Sequence, residues 1–455
     1  MRGRFAGALV PLYLFLCLLL GGASAAGLWA NVLLQLLAIL LLFAATVARA
    51  EAPLARPARQ LVILLLLMAA LILAQLVPLP PGVWTALPGR EHVREGFELL
   101  GRPLPWLPWS LAPFDTIASA LWLLPALAVL MAMLRFPVRP VWIAWTILLA
   151  TALSVLVGAL QITGGEDSAW YFYRITNPGV TVGFFANANH MATLLLATVP
   201  FLAALFAAAR GRRREAHRSG GLFVILAGLF VLVLIGVAIN GSLAGLGLML
   251  PVSAASAMLL MRRRGIPTWT IALVALLTLG SVAAVFSGRF ENNLIAGDAQ
   301  SSVVSRSTTF AVSLAAAKDH FPFGSGIGTF QPIYRLYEDP ERVTTTYVNH
   351  VHSDWIEILL ETGIFGLALL LAFLGWWILR AIAIWRASEP DHFARAATIA
   401  SAAIIVHSLV DYPLRTVAIA AVFAACCALM AGRRIAPPRR KSWPSKRPAR
   451  HLTAD

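Results

Sequence analysis

The sequence predicts an all-α polytopic membrane protein of about twelve transmembrane helices. One observation is compositional: of 455 residues, 59% are hydrophobic and only 13% charged, and the mean hydropathy is +0.78. A soluble domain carries roughly 45–50% apolar and about 25% charged residues. Too little polar surface remains here to cover a globule, which excludes a soluble multidomain enzyme. The second observation is that apolar runs such as Leu64–Leu67 and Leu367–Leu371 show no alternation with polar residues. That excludes a membrane barrel and leaves helices, which satisfy their own backbone hydrogen bonds in lipid. Cys17, Cys426 and Cys427 all lie in apolar runs, so no disulfide framework is expected.

A helix needs about 20 apolar residues to cross the hydrocarbon. Such stretches occur at approximately 6–26, 28–48, 60–79, 116–134, 141–161, 190–209, 221–239, 243–261, 268–286, 363–384, 396–412 and 414–432. Placing the amino terminus inside collects 26 of the 36 basic and 5 of the 21 acidic residues on the cytoplasmic side, a net of +21 against −6 outside. Such a bias is what the positive-inside rule demands, and it puts both termini in the cytoplasm. The whole-chain excess of +15 therefore concerns orientation rather than nucleic acid. The basic tail at 433–455 reads as a topology determinant beside anionic lipid, and residues 1–432 as the transmembrane catalytic domain. Ala23-Ser24-Ala25 resembles a signal-peptidase site, but an uncleaved first helix is the favoured reading.

Three outside segments are long enough to build a site: 80–115, 162–189 and a long loop at 287–352. The last alone is rich in charge, aromatics and histidine. With no ATP pool outside an inner membrane, a synthetic reaction there needs a donor that arrives activated, such as a lipid-linked pyrophosphate. Within Asn349-His350-Val351-His352-Ser353-Asp354-Trp355-Ile356-Glu357, Asp354 and Glu357 have capping-box spacing for a helix descending through Gly363. His352 is then held at its mouth. It is either a general base for an acceptor hydroxyl or a link between loop and helix. A metal held by His350, His352 and Asp354 would lack a fourth partner in sequence.

Outer-face arginines are Arg90, Arg94, Arg102, Arg174, Arg289, Arg306, Arg335, Arg342 and Arg415. The planar guanidinium suits bidentate phosphate contacts, and Arg289 and Arg306 flank the start of the long loop. No Asp-x-Asp occurs, which argues against an enzyme that holds a nucleotide diphosphate through a metal. Gly324-Ser325-Gly326-Ile327-Gly328 reads as a turn after Pro322, without the Lys-Ser/Thr ending of a phosphate loop. Asn187 and Asn189, before His190, either line a cavity or cap a helix. His407, Asp411 and Arg415 recur at i, i+4 and i+8, as one helical face would place a buried polar network.

His352-Ser353, nine residues, Gly363, two residues and Gly366 is similar to the signature of bacterial O-antigen ligases and their polymerase relatives. Phe185-Ala186-Asn187-Ala188-Asn189-His190, Arg306 with Phe321-Pro322-Phe323-Gly324-Ser325-Gly326-Ile327-Gly328, and Asp411-Tyr412-Pro413-Leu414-Arg415 match in order. The resemblance implies a metal-independent, membrane-embedded glycosyltransferase, GT-C-like in fold, that uses no cofactor. It would move a glycan from undecaprenyl pyrophosphate to an acceptor hydroxyl on lipid A-core, or to a growing glycan, with inversion. His352 would activate the acceptor and Arg306 would clamp the pyrophosphate. Where the family often carries Ser-Arg, this chain has Ser242-Leu243; Arg289, Arg174 or Arg415 are the candidate substitutes. Besides these, Asn187, Asn189, His350 and Asp354 are expected at the substrate. A polymerase or a protein glycan ligase shares this chemistry. A transporter predicts paired charges or broken helices near the bilayer midplane, where these spans are nearly free of charge.

Overall fold

The computed structural model describes residues 2–24, 28–48, 53–211, 216–261, 268–287, 298–343 and 348–432. Within them the chain is a bundle of helices with one short pair of antiparallel strands. Helices α1 (Arg2–Leu20), α2 (Trp29–Val47) and α3 (Arg56–Leu76) lead to β1 (Pro78–Leu79), α4 (Pro81–Trp84), α5 (Glu91–Leu99) and β2 (Leu107–Pro108). Then follow α6 (Pro113–Arg135), α7 (Pro140–Thr163), α8 (Ala188–Gly211), α9 (Ala216–Asn240), α10 (Leu243–Ala257) and α11 (Thr268–Ser287). The remainder is α12 (Asp298–Asp319), α13 (Phe330–Tyr337), α14 (Asp354–Arg386), α15 (His392–His407) and α16 (Val417–Ala431).

Local chemistry sets the helix ends. α6 and α7 begin on Pro113 and Pro140, where a missing N–H costs nothing and the fixed φ suits a first turn. Ser242, Asp391 and Thr416 cap α10, α15 and α16 by accepting backbone N–H groups of the first turn. α8 is the most enclosed of the long apolar helices, with Leu195, Leu196 and Phe201 fully buried against the rest of the bundle.

Eight described helices are long and apolar enough to cross a membrane: α2, α3, α6, α7, α8, α9, α10 with its 3-10 extension to Leu260, and α14. The expectation of twelve spans is therefore met only in part. Gly7–Leu20, Trp269–Ala283 and Val417–Ala431 are shorter apolar helices. The eleventh stretch, expected over 396–412, is helical only to His407, because the chain turns ahead of Pro413, which cannot continue a helix. Nor is 287–352 a simple loop, since it contains α12 and α13. The basic tail at 433–455 lies outside the described residues.

Several helix ends and connections meet one another. Gly22 pairs with Phe185, and the Ala418 N–H donates to the Gly21 carbonyl. The Ser110 N–H donates to Gln75, and the Asp354 N–H to Ser408. Over this end lies a second, smaller core, formed by Ala316, Phe330, Ile333, Tyr334, Val351 and Leu360.

Candidate functional site

The site begins with a broken helix. Gly363 has φ 56° and ψ −140° inside α14 and divides it into a short first part, Asp354 to Thr362, and a long second part. Only glycine adopts that region cheaply. The glycine-rich turn 324–328 is clasped to the break. The N–H groups of Ser325 and Gly326 donate to the carbonyls of Leu360 and Glu361, and the Gly328 N–H donates to Glu361 Oε1. Its amides are thus engaged by α14, as a structural turn requires. Gln75, at the end of α3, accepts from the Ile327 N–H and donates to the Glu361 carbonyl. Arg90 is also buried here and donates to the carbonyls of Pro88, Trp109 and Gly324. Burial lowers its guanidinium to about 10, against the opposing charge of Glu91.

The first part of α14 places Asp354, Glu357 and Glu361 on one face, the i, i+3, i+7 spacing of a helix. All three carboxylates are buried, and all three face Arg415 in the 3-10 turn Pro413–Arg415. Nε lies 3.5 Å from Asp354 Oδ1, Nη1 3.3 Å from Glu357 Oε1, and Nη2 3.1 Å from Glu361 Oε2. Burial alone would lower the guanidinium; the carboxylates of Glu357, Glu361 and Asp354 more than reverse it. The structure thus gives Arg415, expected as a spare phosphate ligand, three internal counter-ions in place of the open fork that a pyrophosphate contact needs.

Helix α14 does start at Asp354, but without the expected capping box. Ser353 is the N-cap residue and makes no side-chain cap. Glu357 reaches past it to the Val351 N–H (3.1 Å) and to His350 Nδ1 (2.8 Å). Asp354 Oδ2 accepts from the Ser408 hydroxyl, and more distantly from the Leu414 N–H. His350 and Asp354 therefore face different partners. Among the described residues, no group of three His, Cys, Asp or Glu side chains is placed to hold a metal ion.

His352, two residues before α14, is the only described non-glycine residue at positive φ (61°). Such a conformation costs about 1–3 kcal/mol and persists where its surroundings over-determine it. Its ring meets Tyr412 edge-on, with centroids 5.0 Å apart. His350 and His190 lie against the same phenol, at 4.6 and 4.9 Å, so Tyr412 is the hub of three histidines. Burial, followed by the charge of Asp411, pushes its phenol well above the usual range. Its hydroxyl donates to Asn349 Oδ1 at 3.4 Å.

Asn187 and Asn189 turn out to organise helix starts. Asn187 Oδ1 accepts from the Asn189 N–H ahead of α8, and the Ser242 hydroxyl donates to Asn189 Oδ1, tying α8 to the start of α10. His407, Asp411 and Arg415 do not share a helical face, because α15 ends at His407. Each still joins the polar network: His407 with Thr193 (2.8 Å), Asp411 with His190 (3.8 Å), and Arg415 with the carboxylates. Arg174 is exposed in the connection between α7 and α8. Arg306 lies in α12, with its side chain outside the described residues, and Arg289 is outside them altogether. Glu361, Gln75 and Tyr412 were not singled out by the sequence as site residues. The carboxylate spacing, and a lone glutamine in an apolar run, were the signals for the first two.

No curated protein matches the chain. A family model described as O-antigen ligase matches residues 228–371, about a third of the chain, and that stretch, which takes in His350, His352, the three carboxylates and the Gly363 break, is similar to that family.

Proposed function

We propose that the protein is a metal-independent glycosyltransferase that moves a glycan from undecaprenyl pyrophosphate to a hydroxyl of lipid A-core. In this reading it sits in a bacterial inner membrane with both termini cytoplasmic and the site facing the periplasm, as the basic bias of the sequence supports. His352 takes the acceptor proton. Arg306, with Arg289 or Arg174, holds the pyrophosphate and stabilises the charge that grows on it as it leaves. The observation that carries the reading is the strained His352 beside Tyr412, within the family-matched stretch and at one end of an apolar bundle. The broken helix and paired charges that a transporter would show are present, but the break is nine residues from the start of α14, in its polar end.

Two measurements test the reading. In cells lacking the gene, a ligase leaves bare core and accumulated lipid-linked polymer, whereas a polymerase leaves core bearing a single repeat. In cells making His352→Ala at normal levels, glycan transfer to core should fall by at least about 10²-fold, the usual scale of general-base catalysis. Full retention of transfer would sink the assignment of His352.

A further inference from the structure

Departure of a pyrophosphate leaves an electron pair on its bridging oxygen, and the polar cluster offers few groups to receive it. Arg415 is occupied by Asp354, Glu357 and Glu361. Arg90 is occupied by three carbonyls. What the cluster does hold is a second histidine with a carboxylate partner. His350 Nδ1 is 2.8 Å from Glu357 Oε1. The Glu357 side chain is 1% exposed and that of His350 16%, so the carboxylate is sealed behind an imidazole that keeps access to the surface. A carboxylate on Nδ1 fixes the proton there and leaves Nε2 as the edge that exchanges. His350 and His352 lie against the same ring of Tyr412, which puts two imidazoles at one site.

We propose that His350 is the second proton-transfer group of the site, donating from Nε2 to the departing pyrophosphate oxygen, and that Glu357 is its positioning residue. This rests on the reading that a glycan passes here from a pyrophosphate to a hydroxyl. In the step, the acceptor O–H bond breaks and its proton goes to His352. The new C–O bond forms at the anomeric carbon as the bond to the pyrophosphate oxygen breaks. The electron pair of that bond stays on the oxygen, which takes the Nε2 proton of His350. Between turnovers His352 releases its proton to water and His350 regains one. Around His350 the titratable and charged groups are Glu357, Asp354 and Glu361 from α14, Arg415 and Tyr412 from the turn after α15, His190 from α8, and His352.

The test uses the full-length protein in detergent with an undecaprenyl-pyrophosphate-linked glycan and lipid A-core, and reads kcat and KM from about pH 5 to 9. His350→Ala should lower kcat by about 10²-fold or more with the donor KM within about threefold, and should remove the alkaline limb of the pH profile. His350→Arg, which keeps a donor without a titration in this range, should recover at least about tenfold of that loss and show no alkaline limb. Glu357→Gln, which can still accept from the Val351 N–H, should move the alkaline limb to lower pH. Unchanged kcat in His350→Ala, an unmoved limb in Glu357→Gln, or His350→Arg no better than alanine would each overturn the proposal. If His350→Ala does not fold, His350→Gln takes its place with the same expectations. Loss of transfer in His352→Ala alone, with His350→Ala fully active, overturns the proposal and leaves the glycosyltransferase reading standing. If the unaltered protein transfers nothing from this donor, it is that reading which fails.

Discussion

The carbonyl oxygen of Pro322 occupies the space that a Cβ on Gly363 would need: a carbon built there would lie 2.0 Å from it. The same oxygen accepts from the N–H of Ile364 at 2.9 Å, so the backbone around Pro322 replaces the helical partner that α14 loses at its break. Gly363→Ala should therefore destabilise the protein by about 3 kcal/mol, since positive φ and a backbone clash act together. Gly375, in the same helix, has nothing within 4 Å of a built Cβ. Gly375→Ala should be neutral, or stabilising by about 0.5–1 kcal/mol. Thermal midpoints in one detergent check both, and equal effects at the two positions would contradict the clash.

Arg415 should be intolerant of truncation. Arg415→Ala leaves three buried carboxylates without their cation, and breaking a buried pair from one side costs about 3–5 kcal/mol. Arg415→Lys keeps the charge but not the fork that spans Asp354, Glu357 and Glu361, and should cost less. Adding Glu361→Gln to Arg415→Ala should cost less than the sum of the two single changes, because the variants share one interaction. Strict additivity in that cycle would count against the ion pair.

Gln75→Leu tests the link between α3 and the glycine-rich turn. Ile327 N–H would lose its acceptor, and an unpaired buried amide costs about 1–3 kcal/mol. Hydrogen exchange should quicken over 324–328 while that of α8 stays unchanged.

His320 gives the polar end of the bundle a pH dependence. Burial lowers its basicity, the bond to the Ala316 carbonyl opposes this, and the nearby charge of Arg90 adds to the lowering. Folding thus favours the neutral ring. The stability it supplies is complete above the unfolded value of about 6.5 and is lost as pH falls from there toward the lower folded value. Proteolysis of the connections around 89–111 and 320–328 should increase below about pH 6.5. His320→Gln should flatten that slope, and a slope unchanged in the variant would acquit His320.

Much of the helical architecture was legible because lipid makes a stringent demand: apolar runs long enough to cross it. The start of α14 was legible too, since acidic residues after Ser353 favour a helix amino terminus. The pairing of Arg415 was not. Glu361 and Arg415 are 54 residues apart, and the regular spacing of His407, Asp411 and Arg415 reads as one helix unless Pro413 is allowed to end it earlier. His352 illustrates a different limit. Its place at the mouth of a helix was readable from its neighbours, but its positive φ is imposed by what packs around it, which no local pattern records.

The start of α14 and the turn after α15 also form one knot. The Asp354 N–H donates to the Ser408 and Asp411 carbonyls, and the Asp354 carboxylate receives Ser408 and Leu414 in return. These two segments are separate paragraphs of the sequence but a single heritable part. A chimera that takes residues 350–366 from a related protein must take 407–416 from the same parent, or each half will present its charges to a stranger.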